Sequence, residues 1–193
     1  MFDNNDKSLS DFGFRTEESP IEPHILIHKF ETLIGPMIVC ATEQGICLLE
    51  FTNRRILLKQ FSDLQRLLKS RIIIGENRYI RQVRKEITEY LDGNRQSFDV
   101  PLHMPGTEFR QLAWKALLKV PYGKTLSYLE QAENLGKPAA VRAVAAANGA
   151  NRIAIIVPCH RLVAKDGSLV DYGGGLDRKR WLLEHERKYA KAS

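Results

Sequence analysis

From His24 onward the apolar positions fall into short blocks. Ile25–Phe30, Met37–Ala41 and Ile46–Phe51 are separated by Gly35-Pro36 and Gln44-Gly45. Apolar runs of this length bounded by turn residues predict consecutive antiparallel strands. The period then changes. Ile56, Leu57, Phe61, Leu64, Leu67 and Leu68 recur at helical spacing, Ile72-Ile73-Ile74 offers a further short strand, and Ile80, Val83, Ile87, Tyr90 and Leu91 mark a second helix stopped by Asp92-Gly93. A small α/β unit therefore reaches to about residue 100. Val100-Pro101 to Pro105-Gly106 breaks both periods and reads as a linker.

Beyond the linker the pattern is helical. Thr107 can cap a helix whose apolar stripe is Phe109, Leu112, Ala113, Ala116, Leu117 and Val120, ended by Pro121-Tyr122-Gly123. Ser127 and Glu130 form a capping box for a short helix that stops at Gly136, and Pro138 suits the first turn of the next, Ala139–Asn148, closed by Gly149. Two short helices around a glycine-containing turn make a helix-turn-helix candidate. The second carries Ala139, Ala140, Ala143, Ala145, Ala146 and Ala147 with Arg142 as its one charge. Such alanines either pack against neighbouring helices or let the backbone approach another surface closely. The apolar run Ile153–Val157 then predicts a short buried strand, ended by Pro158, which places Cys159 at the lip of a core. Asp166-Gly167 reads as a turn and Asp171-Tyr172-Gly173-Gly174-Gly175 as a pocket loop or a plain flexible turn. A last helix starts near Leu176-Asp177, with Glu186 in the middle of the stripe Leu182, Leu183, Tyr189 and Ala190.

Charge sharpens this division. The chain carries +6 overall, yet its first 20 residues hold five acids against two bases, and residues 105–193 hold fifteen Lys/Arg against eight Asp/Glu. A polyanion such as nucleic acid suits the basic half, though a basic surface alone does not require one. Residues 1–22 are too polar to fold alone and are expected to be a mobile acidic tail. The domains follow as 23–100, a linker at 101–106, and 107–193. Three cysteines, Cys40, Cys47 and Cys159, form no paired framework, and no positively flanked apolar run opens the chain. The expectation is a reduced intracellular protein without a signal peptide or membrane span. Cys40, Cys47, His24, His28 and His103 lack a close Cys-x-x-Cys pair, so neither a metal nor another cofactor is expected.

The chemistry concentrates at Cys159. A thiol half-shielded at the end of an apolar run, flanked by His160 and Arg161, is placed to form the thiolate that acts as a nucleophile; a buried structural cysteine is the plainer alternative. Glu186 is costly to bury unpaired, and His160 is the natural partner.

Pro158-Cys159-His160-Arg161, with Asn151 before it and Tyr172-Gly173-Gly174-Gly175-Leu176 and Trp181-Leu182-Leu183-Glu184-His185-Glu186 after it, resembles the O6-alkylguanine-DNA alkyltransferase family. The resemblance covers residues 107–193 with motif spacings intact, and residues 24–100 are similar to that family's N-terminal domain. It implies an α+β protein: a small three-stranded antiparallel α/β domain of ribonuclease H-like type, then a mostly helical domain with a helix-turn-helix. It also implies DNA repair by a single, irreversible transfer of the alkyl group of O6-alkylguanine, and of O4-methylthymine, from flipped-out duplex DNA to Cys159.

The roles implied residue by residue are these. Cys159 is the acceptor, His160 removes the thiol proton through a water, Glu186 orients His160, and Tyr128 hydrogen-bonds or protonates guanine N3. Arg142 takes the extruded nucleotide's place in the stack and Asn151 braces the turn. Tyr172 and Gly173 wall the pocket, and Lys137, Lys165, Ala140 and Ala143 join the DNA-binding surface in the minor groove. The resemblance further implies a monomer acting on double-stranded DNA, without a membrane, located in the cytoplasm with the nucleoid or in a nucleus. Gly173 stands where many members of the resembled family carry a larger residue, and Ala154 where several have proline. A roomier pocket that accepts groups larger than methyl is the expectation from these departures. The first domain lacks the cysteine-rich metal site of the family's adaptive-response regulators.

Overall fold

The computed structural model describes residues 7–16 and 24–190, which fall into two compact units. The first takes residues up to Glu89 together with Phe98–Pro105; the second takes Tyr90–Ser97 and the residues from Gly106 onward.

In the first unit the three apolar runs form strands β1 (Ile25–Phe30), β2 (Met37–Thr42) and β3 (Gly45–Phe51), paired antiparallel in sequence order. The triple isoleucine forms β4 (Ile72–Ile74), which adds to the free edge of β1 in parallel, so the sheet has four strands in the order β3-β2-β1-β4 rather than three. A parallel neighbour needs a crossover, and helix α1 (Leu57–Leu68) supplies it. Leu57, Phe61 and Leu64 of α1 pack with Ile25, Ile27, Ile38, Cys40 and Cys47 into one buried cluster. Cys40 and Cys47 are thus core residues. His103 is bound to the Thr42 hydroxyl at 2.9 Å, and no metal-holding group of His, Cys, Asp or Glu occurs among the described residues. Helix α2 (Arg78–Leu91) buries Ile80, Val83 and Ile87. Glu86, also buried, accepts the amides of Asp99 and Val100 and so fixes the strand-like segment that runs past Ile46.

Part of the expected tail is ordered against this unit. Leu9, Phe12 and Phe14 pack on its core, with Phe12 and Phe14 edge-on to Phe61 at 5.7 and 5.0 Å, and the Ile74 amide donates to the Arg15 carbonyl. Three apolar side chains within six residues give this stretch an amphipathic face that the acidity of the first 20 residues as a whole hides. The rest of the tail, residues 1–6 and 17–22, lies outside the described residues.

The second unit is helical: α3 (Glu108–Leu117), α4 (Tyr128–Asn134), α5 (Val141–Gly149) and α6 (Leu176–Tyr189), with a two-stranded parallel ribbon of β5 (Leu126–Ser127) and β6 (Leu162–Val163). Thr107 caps α3 through the Arg110 amide, and Ser127 with Glu130 makes the reciprocal capping box at α4. The apolar stripe of α3 is narrower than expected. Ala113, Trp114, Leu117 and Val120 are buried, whereas Leu112 is 44% exposed. The Ala139–Asn148 helix starts as a single 3-10 turn, Pro138–Ala140, before α5 proper. No helix among the described residues is long and apolar enough to cross a membrane.

Candidate active site

All the residues that carry the site lie in the second unit. The ribbon sets its geometry: Leu126 pairs with Leu162 and Ser127 with Val163, so Tyr128, first residue of α4, is drawn beside the chain that has just left Cys159, His160 and Arg161.

The approach to the cysteine is not the expected strand. Residues 153–157 form a buried turn, in which the Ile156 amide bonds the Ala154 carbonyl at 2.8 Å and the Val157 amide bonds the Ile153 carbonyl at 3.0 Å. An all-apolar run reports burial on every side, and a buried turn satisfies that as well as a strand does. Ile155 takes φ +70°, a left-handed conformation that disfavours a β-branched side chain and costs roughly 1–3 kcal/mol. Asn151 offsets this. Its side-chain oxygen accepts the Ile153 amide at 3.0 Å, and its Nδ2 donates to the Val157 carbonyl at 2.9 Å and to the Cys159 sulfur at 3.2 Å. Cys159 itself opens a 3-10 turn, Cys159–Arg161, and is partly exposed, whereas the other two thiols are buried. An N–H donor aimed at sulfur favours the thiolate over the thiol.

Directly after the thiol, His160 and Arg161 are buried and both turn onto Glu186 of α6. His160 Nε2 lies 2.8 Å from Oε1. Arg161 donates from Nε to Oε1 and Oε2 at 3.1 and 2.9 Å and from its NH2 group to Oε1 at 2.9 Å, and its remaining terminal nitrogen reaches the Val120 carbonyl. Tyr90 at the end of α2 donates its hydroxyl to Oε1 at 2.6 Å, and the Gly123 amide donates to Oε2 at 3.0 Å. Arg161, expected to flank the thiol, therefore serves Glu186 instead. A buried guanidinium seeks the nearest full countercharge, here in bidentate geometry.

Burial pushes the Glu186 carboxyl upward, but the hydrogen bonds and charges of His160 and Arg161 outweigh it and hold the group well below the usual carboxylate range. Burial lowers His160 below 6.5, an effect only partly opposed by Glu186. At neutral pH the imidazole is therefore uncharged and Glu186 ionised. A carboxylate can only accept, so the imidazole proton is assigned to Nε2 and Nδ1 is left as a base. Nδ1 is buried and makes no hydrogen bond to the described residues. Burial, and secondarily Glu186, raise Tyr90 well above 10 and Tyr122 to about 12, so both hydroxyls stay protonated.

Tyr128 and Lys179 lie within electrostatic range of Cys159. Burial, then the charges of Cys159 and Asp171, raise the Tyr128 hydroxyl, which keeps it a donor. Lys179 is fully buried and donates to the Val170 carbonyl at 2.7 Å, while its neighbour Arg178 donates to the Gly174 carbonyl at 2.9 Å. These two cations of α6 clamp the loop that holds Tyr172 and Gly173. Tyr172 is buried and stands edge-on to His160 at 6.3 Å; Gly173 is partly exposed, and Ala154 is buried inside the turn.

The helix pair α4–α5 is joined through buried polar groups. Gln131 donates to the Ala113 carbonyl at 3.0 Å and accepts from Asn148 at 2.6 Å, and the Trp114 indole donates to the Ala147 carbonyl at 2.9 Å. With Val144, Ala147 and Asn148 turned inward, α5 exposes Arg142, Ala143, Ala145 and Ala146. Ala140 is half-buried before it, and Lys137 is exposed at the start of the preceding turn. Lys165 is exposed in the turn after β6, with no bond to the residues above.

Comparison with known proteins places this arrangement. Residues 108–188 match the model of the 6-O-methylguanine DNA methyltransferase DNA-binding domain, and residues 25–104 match that of the ribonuclease-like domain of the same enzymes. A methylated-DNA–protein-cysteine methyltransferase of Methanosarcina barkeri is 38% identical over 156 residues, which is 81% of this chain and 93% of that protein. The inducible enzyme of Bacillus subtilis is 39% identical over 150 residues, 78% and 83% of the two chains. The chain belongs to the 6-O-methylguanine DNA methyltransferase family. Among solved structures, Mycobacterium tuberculosis OGT in complex with DNA superposes with a TM-score of 0.74 at 36% identity, over 86% of this chain and 96% of that one. Family membership carries with it methyl transfer from DNA to a protein cysteine, a role in DNA repair, and DNA as the partner.

Within this family member, sequence reasoning missed Tyr90, Gly123 and Lys179, and misassigned Arg161. Lys179 had a signal, since it stands at i−7, i−4 and i−3 from Glu186, Leu183 and Leu182 on one stripe. Tyr90, 96 residues from Glu186, had none. Replacing Glu186 by Ala strands the Arg161 guanidinium without its countercharge, and should lower unfolding free energy by about 3–5 kcal/mol. Urea unfolding checks this; a loss under about 1 kcal/mol, the range of an exposed pair, would show that the carboxylate does not hold the network together.

Proposed function

We propose that Cys159 accepts the alkyl group of O6-alkylguanine, and of O4-methylthymine, from a nucleotide flipped out of duplex DNA, once per protein molecule. The observation that carries this reading is the series running from a partly exposed sulfur that receives an Asn151 hydrogen bond to a neutral His160 backed by an ionised Glu186. Nδ1 of His160, through a water, takes the thiol proton. The thiolate attacks the carbon on guanine O6; the S–C bond forms as the C–O bond breaks, and the electron pair passes into the purine. Tyr128, kept protonated by burial, donates to guanine N3 and neutralises that charge. A proton lost from sulfur and one gained by the base balance, and no cofactor enters. Because a thioether is not readily cleaved, the protein is consumed.

Flipping is needed because the O6 substituent lies inside the stack, and it costs on the order of a few kcal/mol. The exposed face of α5 supports entry through the minor groove, which is only about 6 Å wide. Ala143, Ala145 and Ala146 let the helix approach while Arg142 projects into the emptied position. Ala140, Lys137 and Lys165 are assigned to the same DNA surface, the buried Asn151 to bracing the turn before Cys159, Tyr172 and Gly173 to the base pocket, and the working unit is a monomer in the cytoplasm.

Incubation with duplex carrying labelled O6-methylguanine, followed by digestion and mass spectrometry, should place one methyl group on Cys159 and none in Cys159→Ala. Arg142→Ala should slow this reaction strongly while leaving transfer from the free alkylated base unchanged. Tight binding with no label, or equal duplex rates in the arginine variant, would refute the corresponding assignment.

The His160 reading also fixes a pH dependence. Protonation of Nδ1 removes the base, and burial holds that event below 6.5. The single-turnover rate should therefore stay level across neutral pH and fall on the acid side with a midpoint under 6.5; a midpoint at or above 6.5 would count against His160 as the base.

A further inference from the structure

Helix α3 carries a second stripe that neither the core nor the alkyl-transfer site uses. Leu112, Lys115 and Ala116 follow one another at helical spacing along the side away from Ala113, Trp114 and Leu117, and Lys119 extends the stripe into the turn after the helix. They form one wall of a cavity of about 490 Å³ closed by the segment after α3 and by α4. This volume lies within the general range of roughly 300–1,000 Å³ for ligand-binding clefts. Its floor is apolar, with Val120, Leu126 and Leu135 beside Ala116, and Leu112 opens onto it 44% exposed. Three exposed lysines, Lys115, Lys119 and Lys124, surround that floor. None of them makes an ion pair with a described residue, and no Asp or Glu lines the cavity. No residue of α5, and none of Tyr90, Asn151, Cys159, His160, Arg161 and Glu186, takes part in the lining.

An apolar floor ringed by unpaired cations selects its occupant by charge. A basic or neutral segment would leave the lysines facing like charge or nothing. A nucleic-acid backbone would satisfy the lysines but bury no hydrocarbon against Leu112, Leu126 and Leu135. An acidic peptide bearing apolar side chains satisfies both halves of the surface. We infer that the groove between α3 and α4 docks a short acidic segment of a partner protein, its apolar side chains seated on Leu112, Leu126 and Leu135 and its carboxylates on Lys115, Lys119 and Lys124. The inference is independent of the role given to Cys159. Docking there leaves α5 and the thiol uncovered by its own contacts, so a partner could recruit the protein without occupying its reactive cysteine.

A fluorescein-labelled peptide of consecutive aspartates ending in Leu-Phe, titrated with the full chain at low salt, tests this by anisotropy. Saturable binding is expected, weakened about tenfold or more by the pair Lys115→Glu and Lys119→Glu, by Leu112→Ser, and by removal of Leu-Phe from the peptide. These surface variants should still take up methyl on Cys159, which shows that they fold. Binding no better than that of an equivalent lysine peptide, affinity unchanged in the variants, or an aspartate-only peptide bound equally well would overturn the proposal. Competitive displacement of the peptide by undamaged duplex would do so too, by assigning the lysines to nucleic acid.

Discussion

One ionised carboxylate, buried in the second unit, ties its active parts together. Glu186 accepts from His160, Arg161, Tyr90 and the Gly123 amide, which come from the turn after the cysteine, the end of α2 and the segment that follows α3. A charge taken out of water is tolerable only when such donors replace its hydration. The consequence for chemistry is the state of its neighbour. Because Glu186 can only accept, the adjoining imidazole must present a proton to it, and the opposite nitrogen of that ring is left basic. The same carboxylate that stabilises the fold thus sets the protonation state of the site.

The second constraint is strain held close to the sulfur. Ile155 adopts a backbone conformation that its branched side chain disfavours, and the Asn151 side chain spans the turn and reaches Cys159. A regular strand would carry successive residues onward in one direction. The strained turn instead doubles back and starts a 3-10 turn at Cys159, so consecutive residues split their duties: the thiol stays partly exposed while His160 and Arg161 are driven inward to Glu186.

How much of this was legible depended on the range of the interaction. The capping box at Ser127 and Glu130, the strands of the first sheet and the carboxylate on the apolar stripe of the last helix are local patterns, and each is present where the sequence puts it. Burial without direction is weaker information. It made residues 153–157 look like a strand and Leu112 look like core, because an apolar residue marks removal from water without saying what covers it. Tyr90 and Arg161 were beyond reach for another reason. Their partner is chosen by the packed tertiary structure, from residues 96 and 25 positions away. The packing of Leu9, Phe12 and Phe14 was masked by the net acidity of the first 20 residues, although only Asp11 lies among them.

The central claim is the tautomer of one histidine, and nitrogen-15 NMR of the imidazole ring reports it directly. At pH 7 His160 should give the shifts of a neutral ring protonated at Nε2, with an unprotonated Nδ1. A ring protonated at Nδ1, or an imidazolium at that pH, would contradict the account, since the first turns its basic nitrogen onto Glu186 and the second has none.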